Sequence, residues 1–175
     1  MRAFVALELP SLFEDEVASL ARQLKPQVAG RFMKRETYHL TLAFLGEVGE
    51  AEARDAMAAL DAACRGRAPV ALTPDGLGKF GRPADATLWL GIAPASELMA
   101  LAEAVRAELS ARGLAFDEKP FRPHITLARR ARLPHGALPE LVFPQPARAT
   151  RVALFKSTLS QEGATYKELY HVELS

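Results

Sequence analysis

The apolar run Arg2–Leu9 (RAFVALEL) predicts a strand, and Pro10-Ser11 break it into a helical pattern. Leu12, Val17, Leu20, Ala21 and Leu24 recur at helical spacing, and Ser11 and Glu14 are set as a capping box. Pro26 and Gly30 predict the end of that helix, and a loop carrying Arg31, Lys34 and Arg35 leads to a second strand from Tyr38 to Leu45. An Ala-rich helix is expected from Glu50 to Arg65, then a strand and turn over Ala68–Gly81. The last two runs, Ala149–Leu159 and Ala164–Leu174, predict a hairpin turning at Gln161-Glu162-Gly163. The Pro-rich stretch Leu133–Pro146 is expected to be a connecting loop.

A shift of 85 residues lays part of this pattern on itself. Phe4 falls on Trp89 within the short strand TLWLGI, and Ser11 falls on Ser96, which opens a helix through Leu98, Leu101, Val105 and Leu109, closed by Gly113. His39 falls on His124 and Thr41 on Thr126. A chain that repeats strand, helix and polar motif at one offset predicts two similar lobes about a pseudo-twofold axis. Strands and helices do not alternate regularly, so the expectation is an α+β fold in one domain over residues 1–175. It would have two pseudo-symmetric lobes with antiparallel sheets flanked by helices, and a cleft between them.

Composition narrows the classes of function. A chain of 175 residues, 49% hydrophobic and 25% charged, can bury a core of its own. Its net charge of +1 supplies no global basic field, so an anionic partner needs a local cluster. The one cysteine, Cys64, excludes an internal disulfide and a cysteine-based zinc site. The amino terminus lacks the layout of a signal peptide, and no run is long enough for a membrane helix. A cytoplasmic protein with no membrane partner is expected. Arginine outnumbers lysine 16 to 6 and asparagine is absent, a bias that a thermophile and a GC-rich genome would both produce.

The chemistry lies in YHLTLAFLGE and PHITLARR. Strand alternation puts His39 and Thr41 on one face, with Leu40 and Leu42 in the apolar layer; His124 and Thr126 stand likewise against Ile125 and Leu127. Core packing alone would have chosen Val or Leu at these positions. Two imidazoles facing each other across a cleft can hold one proton between them near neutrality, as paired acid–base catalysis requires. Threonine hydroxyls can donate to oxygens that gain charge. Together these groups suit in-line cleavage of a phosphodiester. No carboxylate cluster accompanies either motif, so a route without metal or cofactor is expected. The pattern itself leaves open which histidine is acid and which is base.

HLTLAFLG and RPHITLAR resemble the paired signatures of the 2H phosphoesterases, and specifically the RNA 2',3'-cyclic phosphodiesterases historically called 2'-5' RNA ligases. FVALELP, LGKFG…LWLGI and FKSTLSQEGATYKELY extend the resemblance over nearly the whole chain. It implies hydrolysis of 2',3'-cyclic phosphate ends of RNA to 2'-phosphomonoesters, and a reversible 2'-5' joining of tRNA halves in vitro. It further implies that His39 donates a proton to the departing 3' oxygen and His124 accepts one from water. Thr41 and Thr126 would bind the nonbridging oxygens.

Arg129 matches a phosphate-contacting arginine of that family, although strict alternation from His124 turns it to the wrong face unless a bulge intervenes; Arg130 has the right parity without the match. Phe80 could stack on a base, and Lys34, Arg35 and Arg122 could line a rim for RNA. His135, His171 and Cys64 are read as structural or solvated. A monomer is expected. Two other readings set against catalysis are an RNA- or phosphate-binding module without turnover, for which Arg or Lys would serve better than His, and a metal site, which lacks partners for the two histidines.

Overall fold

Two four-stranded antiparallel sheets carry the architecture of the computed structural model, which describes all residues from Met1 to Ser175. The strands are β1 (Arg2–Leu7), β2 (Ala29–Phe32), β3 (Leu40–Glu47), β4 (Val70–Leu72), β5 (Pro74–Arg82), β6 (Asp85–Ile92), β7 (His124–Arg132), β8 (Ala147–Ala149), β9 (Arg151–Ser160) and β10 (Gly163–Glu173). The helices are α1 (Ser11–Leu24), α2 (Glu50–Cys64) and α3 (Ser96–Ala111). One sheet runs β10-β9-β1-β3, the other β2-β7-β6-β5, and β4 pairs with β8 apart from both. The class is α+β.

The three helices were legible in their apolar periodicity, with local exceptions. In α1 the buried stripe is Phe13, Val17, Leu20, Ala21 and Leu24, whereas Leu12 is 70% exposed. The expected capping box is absent: Pro10 is the N-cap residue and Ser11 already lies inside the helix. Glu14 instead reaches Arg35 at 2.7 Å. Helix α2 starts at Gly49, whose amide donates to the Glu52 carboxylate at 3.0 Å. A core of 40 buried residues takes side chains from both large sheets and all three helices, and free Cys64 sits in it as a small apolar residue.

The segment after α1 departs from the expected loop. Ala29–Phe32 is a strand, and it pairs with β7 of the second sheet rather than with β3, the strand that follows it in sequence. Its four residues (AGRF) show no apolar alternation, since an edge strand can be held by backbone hydrogen bonds alone.

Helices α1 and α3 begin 85 residues apart and strands β3 and β7 begin 84 apart, at Leu40 and His124, but β3 is an edge strand whereas β7 is flanked by β2 and β6. The first strands do not keep that spacing: Ala6 lies opposite Thr41 while Trp89 lies opposite Thr126, an offset of 83. The expected equivalence of Phe4 with Trp89 is therefore two residues out of step. A shift of two preserves the face of every side chain, so both strands still present their cleft and core sides consistently.

Trp89 lies across Gly78 on the neighbouring β5, and a Cβ at Gly78 would overlap the indole ring. Gly78→Ala is expected to destabilise the fold by about 1–3 kcal/mol, the usual cost of overpacking. Denaturant unfolding checks this; unchanged stability would contradict the indole's placement.

Candidate active site

His39 stands immediately before β3 and His124 is the first residue of β7, one histidine at the mouth of each large sheet. Each is fixed by the residue two positions back. His39 Nδ1 lies 2.7 Å from the Thr37 carbonyl and His124 Nδ1 lies 2.6 Å from the Arg122 carbonyl. A carbonyl only accepts, so both Nδ1 atoms carry hydrogen and both Nε2 lone pairs are left for chemistry. Positions 37 and 122 repeat the spacing of the histidines themselves.

The imidazoles sit in aromatic surroundings of different composition. His39 stacks on Phe4 at 4.7 Å between ring centroids and meets the edge of Tyr166 at 5.2 Å. His124 meets Phe80 edge-on at 5.2 Å and Trp89 at 5.7 Å. The Thr41 hydroxyl lies 2.9 Å from His39 Nε2 and, with that lone pair free, donates to it. Thr126 shares its strand face with His124 but makes no comparable bond to it.

A cavity of about 750 Å³ joins the two sheets at this point. Thr41, Ala43 and Phe44 of β3 line it from one side, and Trp89, Phe80 and His124 from the other. His39 lies behind Thr41, in hydrogen-bond contact with this lining. The floor is tied together by Arg106 of α3, which donates to the Leu42 carbonyl at 3.1 Å and to the Lys119 carbonyl at 2.7 Å.

Arg129 reaches the same region through a break in strand alternation. Between Thr126 and Ala128, β7 spends two residues against one step of β6, so Leu127 and Ala128 are both buried in succession. The bulge returns Arg129 to the face of Thr126, where it lines a smaller cavity beside this one, and the parity objection falls. β3 does the same at Leu42 and Ala43, which brings Phe44 to the position that Arg129 holds on the other strand. Arg130 takes the left-handed conformation (φ 52°) and pairs with Asp85 at 3.3 Å.

The electrostatics of the free protein favour neutral rings. Burial pushes His39 down to about 4, against the pull of the Thr37 carbonyl, and the charges of His124 and Arg129 depress it further. His124 is lowered too, first by burial and then by Arg122 and Arg129. Charge on His124 or Arg129 therefore opposes charge on His39.

Of the remaining expected residues, Phe80 is 40% exposed at the rim and Arg122 lies over its ring at 5.9 Å. Arg35 is not free for RNA: its guanidinium is paired with Glu14 and Asp15. Lys34 is exposed and does not line the cavity. His135 is exposed in the Pro-rich loop, and His171 pairs with Glu168 at 3.1 Å. No three His, Cys, Asp or Glu side chains converge into a metal-binding set. Sequence reasoning missed Tyr166 and Phe44. Tyr166 is an inward-facing aromatic on the last hairpin, and Phe44 is signalled only by its equivalence to Arg129.

A family model described as the 2'-5' RNA ligase superfamily matches residues 12–160. The RNA 2',3'-cyclic phosphodiesterase of Thermotoga maritima is 33% identical over 99% of this chain and 95% of its own. Among solved structures, the TT0787 protein of Thermus thermophilus superposes with a TM-score of 0.82 at 30% identity, covering 99% of this chain and 98% of that one. Escherichia coli LigT complexed with 3'-AMP superposes with a TM-score of 0.81 at 31% identity, with the same coverage.

In acid, the imidazoles of His39 and His124 should both titrate below the ordinary histidine value of 6.5, with His39 at about 4. The unfolded chain then binds more protons than the folded one between about 4 and 6.5, so this contribution to stability is lost as pH falls through that window. Imidazole proton NMR titration reads the midpoints; a His39 midpoint above 6.5 would contradict the buried, cation-facing environment.

Proposed function

The chain belongs to the 2'-5' RNA ligase superfamily and is an enzyme of the RNA 2',3'-cyclic phosphodiesterase class; from that premise we propose that its two histidines open 2',3'-cyclic phosphate ends of RNA by acid–base catalysis without a metal. The observation that carries this reading is one cavity lined by Thr41 from one sheet and His124 from the other, with His39 bonded to Thr41.

The proposed reaction balances as a single in-line displacement. A water oxygen bonds to phosphorus and loses its proton to His124 Nε2. The bond from phosphorus to the 3' oxygen breaks, and His39 delivers a proton to that oxygen. The products are a 2'-phosphomonoester and a free 3' hydroxyl. His124 borders the open cavity, where water arrives; His39 is held behind Thr41 among Phe4, Tyr166 and Phe155, where a departing oxygen is shielded. These surroundings support His39 as donor and His124 as acceptor. To act as donor His39 must be protonated, and the negative charge of the bound phosphodiester supplies the favourable field that the free protein lacks. Thr41 and Thr126 would donate to the nonbridging oxygens, and Arg129 would hold the charge that builds on them. Phe80 would stack on a base beside His124.

The chain would then be a single bilobal unit built from a repeat, working as a cytoplasmic monomer on RNA ends, tRNA halves among them. With a 5' hydroxyl in place of water, His124 would take its proton and His39 would again protonate the 3' oxygen, forming a 2'-5' linkage; reopening of that linkage by the 3' hydroxyl would exchange the two roles, as microscopic reversibility demands.

His39→Ala and His124→Ala should each lower kcat on a cyclic-phosphate oligonucleotide by about 10²–10⁴-fold while the fold survives. Wild-type turnover should persist in EDTA. Full activity in both variants, or loss of wild-type activity in EDTA, would contradict the reading; retained RNA binding with no wild-type turnover would point to a binding module.

A further inference from the structure

A second cavity, about 540 Å³, opens beside the first, and Phe80 lines both. Its other walls include Arg31 of β2, Arg129 and Arg130 of β7, and Asp85. Three arginines line it on a chain whose net charge is only +1.

The local structure works against stability to bring them together. Arg31 lies directly opposite Arg129 in the β2–β7 pairing, and like charges across strands are destabilising. Arg130 adopts a left-handed backbone conformation that non-glycine residues avoid. In the β2–β7 pairing, Ala29 to Arg31 is set against Arg132 to Arg129, one residue more on β7, and Gly30 permits the close approach there: a Cβ on it would stand 2.8 Å from the Ala131 backbone. Only Arg130 of the three is ion-paired, with Asp85 at 3.3 Å. Arg31 and Arg129, neither ion-paired, stand opposite each other across the strands, where an anion would relieve their repulsion. Local rules broken without a compensating contact mark functional sites.

We propose that this cavity binds the internucleotide phosphate on the 5' side of the nucleotide being processed. The inference rests on the reading of the histidine cleft given above. An RNA strand that ends in a cyclic phosphate continues only through the 5' oxygen of its terminal ribose. Its next phosphate therefore lies one nucleotide away, and here a second cationic site lies one aromatic ring away from the first. Arg129 stands between them: its charge acts on both imidazoles while its side chain borders the second cavity. Arg31 belongs to the second site alone. The pair would give the enzyme a preference for RNA ends over isolated nucleotides.

The test compares a nucleoside 2',3'-cyclic phosphate, which lacks that phosphate, with an oligonucleotide carrying a 2',3'-cyclic end. Arg31→Ala should raise KM for the oligonucleotide roughly tenfold, the value of one charge-assisted phosphate contact, and leave the nucleoside substrate unchanged. The dependence of log kcat/KM on log salt should flatten by about 0.7 for the oligonucleotide only. Because Arg31 is exposed on an edge strand and opposed by Arg129, the variant should unfold at the same temperature as wild type or higher. Equal effects on both substrates, or no effect on either, would overturn the assignment while leaving the cleft chemistry intact. Failure of the wild type to open either substrate would overturn both.

Discussion

The hydrogen bond from each imidazole Nδ1 to the carbonyl two residues behind it governs everything else about the site. Without it, a histidine at the end of a strand could rotate or present either nitrogen. With it, one tautomer is selected: Nδ1 carries the hydrogen and Nε2 keeps its lone pair. The bond is local, made within a three-residue stretch, and it occurs once on each sheet. The tertiary fold then has one task, to bring the two strand ends to one cavity. Arg106 helps do so by bonding β3 to the loop that leads into β7.

Aromatic packing sets the proton affinities that this geometry uses. Phe4 and Tyr166 pack against His39 and Phe80 and Trp89 against His124, and burial is the largest cause of the lowered values at both histidines. Arg129 and the opposite imidazole add repulsion. The free protein is therefore poised against carrying positive charge on its rings. On the proposed mechanism a bound anion would raise both proton affinities, so that binding and protonation would be linked.

What could be read from the chain follows from how local each signal is. The H-x-T pairs stand out because polar residues interrupt apolar strands twice at one spacing, and the helices stand out through Val17, Leu20, Leu24 and their counterparts in α3. Strand β2 was unreadable because Ala29–Phe32 has no apolar face and is held by pairing to a strand far along the chain. The bulges were hidden for a different reason: Leu42-Ala43 and Leu127-Ala128 are apolar on both sides of the break, so the change of face leaves no mark in the pattern. That single irregularity decides where Arg129 and Phe44 point. Tyr166 and Phe155 were missed because nothing in the carboxyl-terminal hairpin says which histidine it will cover.

Turnover by the proposed mechanism needs one of the two imidazoles charged and the other neutral. The pH dependence of kcat/KM for a cyclic-phosphate substrate reads that requirement without an intermediary, because it reports the ionisations of the free enzyme. A bell is expected with its maximum between about 4 and 6.5, falling on the acid side as both rings become charged and on the alkaline side as both become neutral. A rate that climbs steadily through neutrality, or a profile with a single limb, would refute the two-histidine mechanism.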